Sequence, residues 1–273
     1  MRDSLLSNVA ATVVLMAGAI GIAAQAPAPL PKPVAFHVME ATIDEVRGAL
    51  QSGRTTCRSL VESYLKRIEA YDKAGPALNA VQTINTRARQ EADRLDAAFK
   101  SSGAVGPLHC IPVLVKDQVD TSDMPTTYGS AVFKGFVPQK DATIVTRLRD
   151  AGAVIVGKAS MGEYASGYFG SASGPIRNAY DPSRNASGSS GGTGSGIAAN
   201  FATAGIGEDT GGSIRGPAAV SSLVGLRPTL PLVSRHGMFP ARPTTDTLAP
   251  SRAPSGMLRS CSTRSPATIP AIR

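Results

Sequence analysis

The 273 residues suffice for one large domain or two small ones, and a hydrophobic share of 42% can fill a sizeable core. The formal charge of +8 invites a nucleic-acid or acidic-surface reading, but no basic run occurs, and four arginines fall in Ala249–Arg273, a stretch without Asp or Glu, which leaves an unremarkable +4 on the rest. Three cysteines (Cys57, Cys110, Cys261) form no CxxC pair and give no disulfide framework, and three scattered histidines (His37, His109, His236) give no zinc site.

Arg2 precedes a mostly apolar stretch from Val9 to Ala24, closed by Ala24-Gln25-Ala26. This is the layout of a secretory signal, expected over residues 1–26 and too short for a comfortable membrane span. Cleavage after Ala24 competes with cleavage after Ala26, since Pro27 is awkward in the position that follows. An uncleaved N-terminal anchor is the other reading. Either way the rest of the chain is expected outside the cytoplasm, periplasmic or secreted, with no stable membrane span after processing. Residues 27–35 are rich in Pro and Ala and read as a linker.

A helix is expected from Thr56, as N-cap, through Leu60, Tyr64, Leu65 and Ile68 at three- and four-residue steps. A second runs over about 85–99, broken by Gly103 and Gly106-Pro107. Ile111 to Val115 reads as a buried strand with Lys116-Asp117 at its exit. Asp141 is placed to cap a helix through Ile144, Val145 and Leu148, and Ala153 to Val156 forms the next strand. The alternation predicts an α/β fold with a mixed, largely parallel sheet flanked by helices. Gly and Ser dominate from Gly167 to Gly216. A flexible linker has that composition, but it has no reason to hold the ordered Gly211-Gly212-Ser213-Ile214-Arg215-Gly216-Pro217, so this segment reads as the wall of a site.

Three residues in that frame carry possible chemistry. A serine hydroxyl needs a base, and no histidine here has a triad context. Lysine serves if burial disfavours its ammonium. Lys116 follows five apolar or Pro residues, although an ordinary strand-end lysine with its head in water fits the same pattern. Ser213 follows two glycines, in a segment where the N–H groups of Thr210, Gly211, Gly212 and Ser213 could converge on an oxyanion. A phosphate-binding turn is the competing reading, but no Gly-Lys-Ser/Thr follows and no dinucleotide fingerprint is present. Ser189 lies in Ser187-Gly188-Ser189-Ser190-Gly191-Gly192, where surface serines are the ordinary explanation. Ser63-Tyr64-Leu65-Lys66 matches S-x-x-K, but it sits inside the first expected helix and lacks S-D-N and K-T-G partners.

From about Phe36 to Leu248 the chain resembles the amidase signature family. The matching pieces, in order, include Gly106-Pro107-Leu108-His109 running into Pro112–Asp117, Met124 to Ser130, Arg177-Asn178, Tyr180 to Arg184, Ser189 to Gly192, Asp209 to Pro217 and Gly225 to Thr229. The resemblance implies Ser213 as acyl-accepting nucleophile, Ser189 as relay serine in a cis peptide with Gly188, and Lys116 as the base. The 24-residue step from Ser189 to Ser213 agrees with it. It implies hydrolysis of amide bonds in a small-molecule or peptide amide, without metal or cofactor and without a nucleic-acid partner. The alternatives are a truncated, non-catalytic remnant and the A-type component of a glutamine amidotransferase. The oligomeric state is not legible.

Four positions depart from the family pattern: Cys110 for Gly, Ala179 for Pro, Ser187 for the first Gly of a Gly-Gly-Ser-Ser-Gly-Gly run, and Glu208 for a small residue, often Thr. Family members run to roughly twice this length. The family part is therefore expected over 36–248 and a non-family tail over 249–273. Reading the tail's codons from the third base of codon 249 allows A-I-T-R-T-V-R-D-A-A-V-V-L-D-A-I-A-G-Y-D-P, an amphipathic helix like the family's continuation. A frameshift is the expected origin of the tail.

Overall fold

The computed structural model describes residues 36–252. The expected signal segment and linker, Cys261 and the tail beyond Arg252 lie outside the described residues. Helix α1 (Ile43–Gln51) is one the periodicity did not announce. Its start is a capping box: Thr42 accepts the Glu45 N–H at 3.1 Å and Glu45 accepts the Thr42 N–H at 2.8 Å. Helix α2 (Cys57–Tyr71) begins as expected, with Thr56 accepting the Ser59 N–H at 3.1 Å and Leu60, Tyr64, Leu65 and Ile68 buried. Its Ser63 donates back to the Ser59 carbonyl and Lys66 is exposed, so the S-x-x-K spacing is helix surface.

Strand β1 (Val81–Ile84) leads into α3 (Ala88–Ser102). That helix starts three residues later than expected, because the Asn85 side chain donates to the Ile155 carbonyl and accepts the Arg87 N–H, which holds a turn in place of a first helical turn. Strand β2 (Pro112–Lys116) is buried along its whole length. Helix α4 (Thr143–Asp150) corrects a second expectation: Asp141 does not cap it. Its carboxylate takes the Ser122 N–H and hydroxyl and pairs with Arg149 Nε at 3.0 Å. Strand β3 (Val154–Ala159) follows, then a short hairpin of β4 (Phe169–Gly170) and β5 (Gly174–Pro175). Helix α5 (Gly191–Ala198), strand β6 (Ala204–Asp209), helix α6 (Arg215–Val220), strand β7 (Val224–Gly225) and strand β8 (Thr247–Arg252) complete the described chain.

The main sheet has the order β1-β3-β2-β6-β8-β7. Its centre, β3-β2-β6, is parallel, while β1, β8 and β7 join antiparallel. The sheet is thus mixed, with the parallel part where burial is deepest, as central strands covered on both faces require. Continuous apolar runs supply it: Val113, Leu114, Val115, Val154, Ile155 and Val156 are all buried. Strand β8 carries Ala249–Arg252 across the boundary expected after Leu248, since those residues pair with β6 and β7.

One covalent link was not expected. An odd cysteine count gave no framework, yet Cys57 at the start of α2 and Cys110 just before β2 form a disulfide with a Cα–Cα distance of 5.3 Å. Cys110 sits at φ +60°, a left-handed conformation that explains why glycine suits this position. The bridge closes a 53-residue separation. Reducing it is expected to lower stability by about 2–4 kcal/mol, the range for loops of this kind. Urea unfolding of the oxidised and reduced chain measures this, and equal midpoints would contradict it.

Candidate active site

Parallel strands β2 and β6 end on the same side of the sheet, the side where α/β folds place their chemistry. Lys116 is the last residue of β2 and Glu208 and Asp209 are the last of β6. The third component, the loop before α5, carries Ser189. Gly188 is obligatory there because a side chain would collide with the Gly167 carbonyl. The Gly188–Ser189 peptide is cis. The loop is held on both sides: Ser189 O accepts the Gly162 N–H at 3.0 Å, and the Ser190 N–H donates to Ser213 O at 3.2 Å. Ser187, a departure from the family's glycine, has φ +59°, so that position too favours a residue without a Cβ.

Lys116 has no solvent exposure, which excludes the water-facing strand-end lysine. Its Nζ lies 2.7 Å from Ser189 Oγ, 3.0 Å from Glu208 Oε2 and 3.4 Å from the Glu208 carbonyl. Burial pushes the Lys116 ammonium below the ordinary lysine range, and it outweighs the opposing pull of Glu208, Asp209 and Asp246. The other fully buried lysine, Lys158 in β3, is also pushed down by burial, to about 8. Its partners are the Thr126 hydroxyl and the Pro125 carbonyl, with Asp117 at 3.9 Å, so it braces the loop after β2 and meets no serine.

Ser213 is half-buried in the turn between β6 and α6, and its hydroxyl makes no hydrogen bond within the described residues. The turn is organised by Asp209. Its carboxylate accepts the N–H groups of Gly212 at 2.6 Å, Ile214 at 3.1 Å and Arg215 at 3.4 Å, and pairs with Arg215 and Arg227. Burial raises the Asp209 carboxyl, but Arg215 and these backbone N–H groups outweigh it and hold it at about 2. This corrects one expectation. The Gly212 N–H is already taken by Asp209 and is not an open oxyanion donor. The N–H groups of Thr210, Gly211 and Ser213 have no acceptor among the described residues.

Sequence reasoning did not find Asp246. Antiparallel pairing of β8 on β6, with Asp209 opposite Thr247, brings it beside Thr210, whose hydroxyl lies 2.6 Å from Asp246 Oδ1 and 2.8 Å from Glu208 Oε1. No local pattern marks that approach across 36 residues. A cleft of about 880 Å³ beside Tyr168, Arg177, Asn178 and Arg184 holds neither lysine nor either serine, so the buried polar cluster, not that cleft, is the candidate reacting centre. Among the described residues no cluster of His, Cys, Asp or Glu is suited to a metal ion.

The family model described as Amidase matches residues 59–251. The A-type component of the glutamyl-tRNA(Gln) amidotransferase of Halorhodospira halophila is 43% identical over 212 residues, 77% of this chain and 43% of that protein. The native peptide amidase of Stenotrophomonas maltophilia superposes with a TM-score of 0.77 at 39% identity, covering 78% of this chain and 45% of that one. The corresponding amidotransferase component of Thermotoga maritima superposes with a TM-score of 0.68 at 30% identity, covering 80% of this chain and 44% of that one. The chain thus spans less than half the length of the curated relatives it matches.

The geometry makes a pH prediction. A lysine 2.7 Å from a serine hydroxyl can take its proton only when neutral, so a base role for Lys116 requires its proton to leave as pH rises through its lowered pKa. Labelling of Ser213 by a fluorophosphonate is therefore expected to accelerate with pH and level off below the ordinary lysine value of about 10.4. A rate still climbing at that value would show that Lys116 is not the controlling group. Lys116→Arg should not restore the rate, since guanidinium keeps its proton.

Proposed function

This chain belongs to the amidase family, and we propose that it hydrolyses carboxamide bonds through an acyl-enzyme on Ser213. The observation that carries the reading is the 2.7 Å contact between a fully buried lysine and a serine hydroxyl at the carboxyl end of the parallel strands. Neutral Lys116 takes the Ser189 proton as Ser189 takes that of Ser213. The Ser213 oxygen then attacks the amide carbon. Negative charge on the carbonyl oxygen rests on the N–H groups of Thr210, Gly211 and Ser213. The relay returns a proton to the departing amine or ammonia, and water releases the acid. No metal or cofactor enters these steps. The substrate is a small-molecule or peptide amide, in keeping with the peptide amidase neighbours.

A second reading is kept because the curated relatives are amidotransferase components. In that reading the same residues release ammonia from glutamine for a partner. Export favours the first. The Val9–Ala26 layout supports export, and a Cys57–Cys110 disulfide suits an oxidising compartment. The tail, expected after Leu248 but with Ala249–Arg252 paired in β8, belongs to the proposal as the product of a shifted frame. No helix among the described residues is long and apolar enough to cross a membrane.

A fluorophosphonate probe on the purified chain tests the chemistry. Labelling is expected in the wild type and absent in Ser213→Ala, with amide turnover reduced by about 10⁶-fold, the scale for losing a serine nucleophile. A folded chain that does not label is a non-catalytic remnant. Turnover confined to glutamine, and only with added partner proteins, favours the amidotransferase. Export predicts a mature N-terminus after residue 24 or 26 in the periplasmic or secreted fraction, and resequencing across codon 249 checks the frame.

A further inference from the structure

Glu208 is the departure from the family pattern that lies closest to the reacting groups. A carboxylate against Lys116 should hold the lysine as ammonium and stop it from acting as a base. Counting hydrogens resolves the conflict. The Thr210 hydroxyl has one proton, yet it lies 2.8 Å from Glu208 Oε1 and 2.6 Å from Asp246 Oδ1. Each contact is a full two-centre hydrogen bond if one of the two carboxyls carries a proton; otherwise two buried carboxylates must share the single hydroxyl proton in a bifurcated bond. Asp246 Oδ2 accepts the N–H groups of Ala241 and Arg242, both at 2.8 Å, whereas the Glu208 carboxyl meets no backbone N–H among the described residues, so the geometry places the proton on Glu208. Glu208, Asp246 and Lys116 are all fully buried, so two adjacent anions there would be costly.

We propose that Glu208 is a positioning residue that holds a proton on Oε1 in the resting enzyme, leaving Lys116 neutral. Glu208 Oε1–H donates to Thr210 Oγ1, and Thr210 donates to Asp246 Oδ1. Glu208 Oε2 accepts one Lys116 N–H and so aims the amine lone pair at Ser189. When Ser213 gives its proton to Ser189 and Ser189 gives its own to Lys116, the chain shifts. The Glu208 proton moves to Thr210 and the Thr210 proton to Asp246 Oδ1. The new ammonium then faces a newly formed Glu208 carboxylate, and the total charge is unchanged. The charged and titratable groups around Glu208 are Lys116 on β2, Asp209 next to it on β6, Asp246 before β8, and Tyr128, whose phenol is lifted to about 12 chiefly by burial. Arg215 and Arg227 are spent on Asp209.

The proposal rests on the hydrolase reading of Lys116, but its test does not need turnover. Infrared spectra of the full chain at neutral pH are expected to show a protonated-carboxyl C=O band that shifts on ¹³C-glutamate labelling and disappears in Glu208→Gln. Thr210→Val, which keeps the backbone N–H, should move the same band and slow Ser213 labelling about tenfold at neutral pH, with recovery at higher pH. A missing band, a band that shifts only on ¹³C-aspartate labelling, or one indifferent to both substitutions overturns the proposal. If Glu208→Gln does not fold, the isotope shift together with Thr210→Val decides. An inactive protein that retains the band refutes the hydrolase reading and not the proton site.

Discussion

A lysine with no access to water must find every partner inside the protein, and that requirement organises this molecule. Lys116 reaches its position because β2 is apolar from end to end and stops at that residue. Everything polar near its Nζ arrives from elsewhere: the Ser189 hydroxyl from the loop before α5, and the Glu208 carboxyl from the end of β6. Burial opposes the ammonium and the surrounding carboxylates favour it. The chemistry available to the site depends on the balance between these two, and a change in any neighbour changes what the lysine can do.

The second organising element is Asp209. Its carboxylate gathers three backbone N–H groups and two arginines, which fixes the turn that presents Ser213. Fixing the turn in this way consumes one donor. The Gly212 N–H is committed to the turn, so an oxyanion would have the remaining N–H groups of the same segment. Two adjacent acidic residues therefore have separate surroundings. Asp209 is held anionic by N–H groups and arginines, while Glu208 meets an amine and a hydroxyl. Environment, not residue type, separates them.

The departures from the family pattern acquire physical content in the fold. Cys110 and Ser187 both have left-handed backbone where glycine costs less, and Cys110 brings a cross-link to α2. The structure gives no account of Ala179 in place of proline. Strand β8 ties the end of the described chain to β6, so residues just past the expected boundary still take part in the sheet that supports the site.

Local chemistry in the chain determined much of this. Thr56 with Leu60, Tyr64, Leu65 and Ile68 announces α2, the apolar runs announce β2 and β3, and the order of short motifs around Lys116, Ser189 and Ser213 points to the family, because such patterns depend on neighbours in sequence. Other features are decided only when the chain is folded. The start of α3, the role of Asp141, the pairing of Cys57 with Cys110 and the arrival of Asp246 at Thr210 depend on groups well separated in sequence, while the loss of Gly212 as a donor to Asp209, three residues away, depends on how the turn closes. A hydrogen bond is set by distance in space, and no spacing along the chain encodes which buried donor will meet which acceptor.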